Sequence, residues 1–333
     1  MPTENTRVLG QAALANSSRR QFIASVLAAG AAASVARLAG ADAAPAEPAK
    51  GVCTLGFSTY GTRSMKTEEA LHMLREIGFD SAEIACMANW DADPANVSTD
   101  RRADLRRQFK DSGMKLACLM DDYHPSVDEK TNGRNAERLR LVAQLGHDLA
   151  PDQPIVLETM LAGSAPWAKM KPVFLRVLPD WLKVVEAADI TLAIKPHRDT
   201  SMSRPEEAIE LFNELGKPPR LRMCYDYSHF VHREMPLKQT VAASLPWTAF
   251  VSMKDTAIVN GKAAFKLPGE TGDIDYAALI RQFYQGGYRG DFNCEISAQI
   301  SKKKDYDPMV VAKQCYKNLA PAFVAAGVPR PGK

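Results

Sequence analysis

The stretch from Leu221 to Phe230, LRMCYDYSHF, sets Asp226 and His229 three residues apart, where an apolar strand runs out into a loop. A carboxylate and an imidazole at that spacing suit metal binding or acid–base work; they equally suit an aspartate capping the next turn. Recurrence favours the chemical reading. Lys195-Pro196-His197 closes another apolar run, Glu158 ends a third, Lys254-Asp255 a fourth and Glu295 a fifth. Glu83 and the group Asp121, Asp122 and His124 stand at two more. Charges in a dry interior are costly unless they pair with each other, a metal or a ligand, so their concentration at strand ends points to a site.

Such residues need a scaffold that gathers strand ends on one side. From Val52 onward a unit repeats: apolar strand, loop, amphipathic helix, often a glycine. Strands are expected at 52–58, 81–87, 115–120, 155–160, 191–195, from 221, at 249–253 and at 292–296. Helices are expected at 67–77, from 99 to a stop at Gly113, and at 135–150, 173–188, 204–215, 237–244, 274–284 and 308–326. In the first helix Ala70, Leu71, Leu74 and Ile77 share one face, and Gly78 stops it. Eight such pairs over about 275 residues imply an α/β fold: a parallel sheet closed into a single-domain (β/α)8 barrel at 52–333. The chain has no G-x-G-x-x-G and no P-loop, which disfavours a doubly wound nucleotide-binding sheet.

The first fifty residues differ in kind. Ser18-Arg19-Arg20-Gln21-Phe22-Ile23 precedes a mildly apolar run, Ala24 to Ala41, and Ala41-Asp42-Ala43 offers small residues to a signal peptidase. This pattern is that of a twin-arginine export signal over 1–43, followed by a linker over 44–51. It predicts delivery to the periplasm or beyond by the twin-arginine machinery. No other stretch is apolar and long enough to span a bilayer, so no membrane insertion of the mature form is expected. Six cysteines without a C-x-x-C pair, five in predicted strands and Cys315 in a helix, read as small buried hydrophobes rather than a disulfide framework. A formal net charge of +3 with dispersed basic residues gives no nucleic-acid face.

Five pieces in order resemble the xylose-isomerase-like barrels, the sugar phosphate isomerases/epimerases: L-A-I-K-P-H at 192–197, Y-D-Y-S-H at 225–229, M-K-D at 253–255, P-G-E-T-G-D-I-D at 268–275 and G-D-F-N-C-E at 290–295. The resemblance runs from Val52 to the C-terminus. It implies proton transfer beside a sugar carbonyl, or elimination of water there, and one divalent metal held by Glu, Asp, His and Glu at the ends of strands five to eight. Asp226 and Glu295 match two of those ligands. Lys195 and Ser252 stand where the other two are expected. Either a shifted site forms, with Asp226, Glu295 and His197, His229 or Glu158 around Mn²⁺, Zn²⁺ or Mg²⁺, or the Lys195 ammonium replaces the metal. A homodimer is also in keeping with the resemblance.

The expectation is an exported isomerase or epimerase acting on a carbohydrate or polyol. Glu295 or Glu158 is the base, Lys195 and Lys254 hold the enediolate, and His197 and His229 orient hydroxyls or shuttle protons. Two alternatives stand beside it: a lyase or dehydratase, including one with a Schiff-base lysine at 195 or 254, and a non-catalytic sugar-binding barrel. Trp90 and Trp167, both expected in loops on the same face, suit stacking on a sugar ring and equally suit capping the barrel core. A metal-dependent endonuclease of the same superfamily needs more histidine and carboxylate ligands than the six histidines here supply at strand ends.

Overall fold

The computed structural model describes residues 51–333. The expected signal at 1–43 and, but for Gly51, the linker at 44–51 lie outside the described residues. The strands are β1 (Thr54–Ser58), β2 (Ser81–Ala85), β3 (Lys115–Met120), β4 (Ile155–Thr159), β5 (Ile190–Ile194), β6 (Leu221–Tyr225), β7 (Thr248–Met253), β8 (Asp255–Val259), β9 (Lys262–Lys266) and β10 (Asp291–Cys294). The helices are α1 (Thr67–Ile77), α2 (Thr99–Ser112), α3 (Glu129–Leu149), α4 (Trp167–Ala187), α5 (Pro205–Glu214), α6 (Leu237–Ser244), α7 (Tyr276–Gln285), α8 (Ala298–Ser301) and α9 (Pro308–Ala326).

Eight strands close in the order β1-β10-β7-β6-β5-β4-β3-β2, every neighbouring pair parallel. This is the expected (β/α)8 barrel. Its strands are buried along almost their whole length, as sheets covered by helices must be. Helix starts follow local chemistry: Ser98 accepts from Arg101 N and Asp128 from Thr131 N, satisfying first-turn donors that have no partner within the helix. Gly78 adopts φ 109° and ends α1 where a residue with a Cβ would be strained. All six cysteines are buried and free. Among the described residues no helix is long and apolar enough to cross a membrane.

Two features depart from the periodicity reading. Helices α3 and α4 each begin six residues before the expected start, at Glu129 and Trp167. Pro172 and Pro179 both lie inside α4, where a proline removes a backbone hydrogen bond, and so the first turns do not read as helix in sequence. The second departure is the antiparallel hairpin β8–β9, which follows β7 and stands outside the barrel.

Arg138 on α3 ties the loops after β2 and β3 together: its guanidinium lies 2.5 Å from Asp93 and 2.8 Å from Asp121, and both carboxylates are buried. Removing it leaves two buried acids uncompensated. Arg138→Met should lower stability by roughly 3 kcal/mol, measured as the shift in a urea unfolding curve.

Candidate active site

Four adjacent barrel strands place a charged residue at the same position, the first beyond the strand end. They are Lys195 after β5, Asp226 after β6, Lys254 after β7 and Glu295 after β10. The signs alternate around the mouth. Glu158 and Glu83 lie within β4 and β2 and reach the same interior from lower in the barrel. All six side chains are buried.

Two ammoniums share one carboxylate. Lys195 Nζ lies 2.5 Å from Glu295 Oε2, and Lys254 Nζ lies 2.8 Å from Glu295 Oε1. Ser252 Oγ donates to Glu295 Oε2 at 2.7 Å. On its other side Lys195 meets both oxygens of Glu158 at 3.0 Å. Lys254 also faces Asp226 Oδ2 at 3.2 Å. The second Asp226 oxygen accepts from Ser228 N at 3.0 Å and Ser228 Oγ at 2.7 Å.

The imidazoles of His197 and His229 pack with ring centroids 3.8 Å apart. His229 Nε2 stands 3.3 Å from Asp226 Oδ2. His197 Nδ1 contacts the Arg198 carbonyl at 2.6 Å. A carbonyl can only accept, so Nδ1 carries the proton and Nε2 is left as an acceptor. Phe265 of β9 lies over this pair, 5.4 Å from the His229 ring and 5.5 Å from Lys254 Nζ. The hairpin absent from the sequence reading therefore roofs the site.

The shifts in proton affinity follow from these contacts. Burial opposes charge on Lys195, but Glu158 and Glu295 outweigh it and raise its pKa well above the usual lysine value. Lys254 is raised in the same way by Glu295 and Asp226. Burial alone would raise Glu295, yet the two ammoniums hold it below the usual carboxylate range. Asp226 is likewise held low, against burial, by Lys254 and His229. For Glu158 burial wins over Lys195, and its pKa is raised. Glu83 is raised further, by burial and then by the charge of Glu158; Asn293 Nδ2 donates to it at 3.2 Å. His197 is lowered well below the usual value by burial and then His229. His229 is lowered to about 4 by burial, with Asp226 opposing in part. Both rings are neutral at pH 7.

The expected site residues Glu158, Lys195, Asp226, His229, Lys254 and Glu295 thus form one network with His197 at its edge. As metal ligands, Asp226, Glu295 and His197 do not fit. Among the described residues no three His, Cys, Asp or Glu side chains are grouped to hold a metal ion. The reason is chemical: ammoniums already sit against the carboxylates that a cation would need, and Ser252 spends its hydroxyl on Glu295. Other candidates are structural. Asp121 pairs with Arg138, and Asp255 accepts from Thr256 N, Thr271 N and Thr271 Oγ, tying the hairpin to the following loop. His124 is exposed. Trp167 opens α4 and donates its indole N–H to Glu210. Asn293, Phe265 and Tyr60 are the contributors sequence reasoning missed.

A family profile for the xylose isomerase-like TIM barrel matches residues 71–310. The chain belongs to this family. Comparison with curated proteins found no match. Among solved structures, an L-ribulose 3-epimerase superposes with a TM-score of 0.65 at 17% identity, covering 83% of this chain and 96% of that one. A xylose isomerase-like TIM barrel protein from Mycobacterium smegmatis in complex with magnesium gives 0.61 at 18% identity, over 82% and 98%. A probable 3-DHS dehydratase from Bacillus anthracis gives 0.63 at 14% identity, over 80% and 98%. At these identities the likeness is one of fold.

His229 makes stability depend on pH. Its pKa of about 4 lies below the ordinary imidazole value of 6.5 that holds in the unfolded chain, so between these values the unfolded chain binds a proton that the folded one refuses. Stability is full above the upper value and is lost as pH falls toward the lower one. From pH 7.5 to pH 5 the wild type should lose up to about 2 kcal/mol more than His229→Gln. Urea unfolding at both pH values checks this; equal losses would show that His229 is not held neutral.

Proposed function

We propose that this barrel moves a proton at the carbon beside a sugar carbonyl, as an epimerase or isomerase, and that two lysine ammoniums hold the enediolate. The observation that carries the reading is the pair of ammoniums on opposite oxygens of Glu295. An ammonium has three N–H donors, and each of these lysines meets two acidic partners. Lys195 spends two donors on hydrogen bonds, to Glu158 Oε1 and Glu295 Oε2, and Lys254 one, to Glu295 Oε1. Each therefore has a donor left for the substrate, and two donors match the two oxygens of an enediolate.

Glu158 takes the base's part. Glu295 is bound by three donors and held strongly acidic, which makes it a clamp for the lysines and a poor base. Glu158 has a raised pKa and can keep the proton it removes. As the C–H bond breaks, its electron pair moves into the C–C bond and the carbonyl oxygen takes up the charge facing the ammoniums. Return of the proton by Glu158 to the neighbouring carbon, with a hydroxyl proton passing from one enediolate oxygen to the other, gives the isomer. The epimer requires a proton delivered to the opposite face by a second acid or by water. His197 Nε2 is free to accept from a sugar hydroxyl.

The same enediolate can lose a β-hydroxyl, so dehydration is the second outcome this chemistry allows. Schiff-base catalysis is disfavoured, since both lysines are held as ammoniums and lack the free amine it requires. The magnesium of the mycobacterial neighbour makes a metal worth testing, but the donor set here argues for charge supplied by lysine. The paired Arg19 and Arg20 before the run to Ala41 support an exported enzyme, for which an unphosphorylated sugar is the natural substrate.

The test is exchange of ketose C–H for deuterium in D₂O, followed by NMR with a panel of free keto sugars. Wild type should exchange at an unchanged rate in the presence of EDTA. Glu158→Gln and Lys195→Met should each lower the rate by about 10³-fold or more. No exchange on any ketose, or a Lys195→Met rate within tenfold of wild type, would overturn the proposal.

A further inference from the structure

Next to the charged network, the strand-end face holds a recess of ≈ 370 Å³, within the range of small-molecule sites. Its walls include Tyr60 and Arg63, which follow β1, Trp90, which follows β2, and Ser301, Lys302 and Tyr306 between α8 and α9. Tyr60 and Gly61 link the recess to the network's neighbourhood. The Tyr60 phenol is raised in pKa by burial and then by the charge of Glu295. A Cβ added to Gly61 would come within 2.9 Å of Ile296, the residue after Glu295.

The lining carries two cations and no carboxylate. The Arg63 guanidinium sits over the Trp90 ring, 4.4 Å from its centroid, and the Tyr60 ring packs 5.1 Å from the same ring. Trp90 therefore serves as a platform for Arg63, where the sequence had suggested a bare face for a sugar. A guanidinium stacked on an aromatic ring keeps its N–H edge available for a planar two-oxygen anion. Neither Arg63 nor Lys302 has an acidic partner among the described residues.

We propose that this recess is an anion subsite, which receives a carboxylate carried by the substrate at the end remote from the reacting carbonyl. The substrate class becomes a sugar acid. The inference rests on the proton-transfer reading for what is turned over, but binding at the subsite does not. Arg63 grips the two carboxylate oxygens through its fork, and Lys302 supplies the second charge. A phosphate dianion commonly draws on a run of backbone N–H groups as well, and two side-chain cations suit a monoanion better.

The experiment is calorimetric binding of D-glucuronate, D-glucose and D-glucose 6-phosphate to the full chain. It uses wild type, Arg63→Ala/Lys302→Ala and Arg63→Lys, with circular dichroism to confirm folding. Wild type should bind glucuronate at least tenfold more tightly than glucose. The double variant should lose that preference, and Arg63→Lys should recover only part of it. Equal affinity for glucuronate and glucose, no measurable glucuronate binding, or an unchanged preference in the double variant would overturn the subsite. Tighter binding of glucose 6-phosphate than of glucuronate would overturn the carboxylate assignment. A glucuronate preference that depends on Arg63 and Lys302, in a protein that exchanges no ketose proton, would sink the proton-transfer reading and uphold the subsite.

Discussion

Six ionisable side chains are sealed into one end of the barrel, and their charges must balance without water. Four are acids, Glu83, Glu158, Asp226 and Glu295, and two are lysines, Lys195 and Lys254. Full ionisation would leave two negative charges in a low-dielectric interior, which is costly. The balance closes in protons. Asp226 and Glu295, which touch the ammoniums most closely from the mouth, are held ionised. Glu83, lower in the barrel, is pushed furthest toward its neutral form, while Glu158 is raised less because Lys195 opposes its burial and leaves it able to act as a base. The histidines are kept neutral chiefly by burial, to which His229 adds at His197 and Lys254 adds at both rings, with Asp226 opposing at His229. The network thereby separates a charged rim that can stabilise an oxyanion from lower acids of raised pKa that can exchange protons.

The barrel makes this layering geometrically inevitable. Parallel strands in staggered register bring the residue after β5, β6, β7 and β10 to one rim, where four alternating charges become neighbours. Below the rim, Ala117, Cys118, Ala193, Cys224 and Phe250 form a separate small cluster. Four of these five side chains are short. Burial raises the Cys118 and Cys224 thiols, and the charge of Glu158 adds to both. Those thiols therefore line the space that the longer glutamate fills. Above the rim, the hairpin β8–β9 sets Phe265 over His229 and Lys254, closing the histidine side while the recess at Tyr60 and Arg63 stays open.

Much of this was legible before any coordinates, and for one reason. Strand ends in a barrel converge, so identifying Lys195, Asp226, Lys254 and Glu295 as terminal to apolar runs was enough to gather them. The helices at 67–77, 237–244 and 308–326 were readable because their apolar positions repeat at helical spacing between clear stops. Pairing was not readable. Glu295 and Glu158 looked alike as candidate bases, and only the distances show that one is bound by three donors while the other has one ammonium partner. The choice between metal and ammonium was open for the same reason. The hairpin was legible and was passed over: Asn260-Gly261, at φ 51° and 74°, is a two-residue hairpin turn flanked by strand-favouring Thr256, Ile258, Val259 and Phe265, whereas its place over the site is a tertiary fact.

The two lysines are unequal in what replaces them. If Lys195 loses its charge, Glu158 is the acid it leaves exposed, and Glu158 is already inclined to hold a proton. If Lys254 loses its charge, Asp226 keeps His229 at 3.3 Å, and the proton affinity of that imidazole rises once Lys254 no longer repels the proton, with burial still opposing its charge. Each ammonium thus has a proton acceptor beside it that can absorb its removal, and the folded barrel need not collapse when either is lost. Catalysis has no such reserve. A neutral Glu158 cannot remove a proton, and a charged His229 is not aimed at Glu295, so the second donor for an enediolate disappears with either lysine. Chemistry should therefore fail at substitutions the fold survives, which is how a site with its own charge balance differs from a structural salt-bridge network.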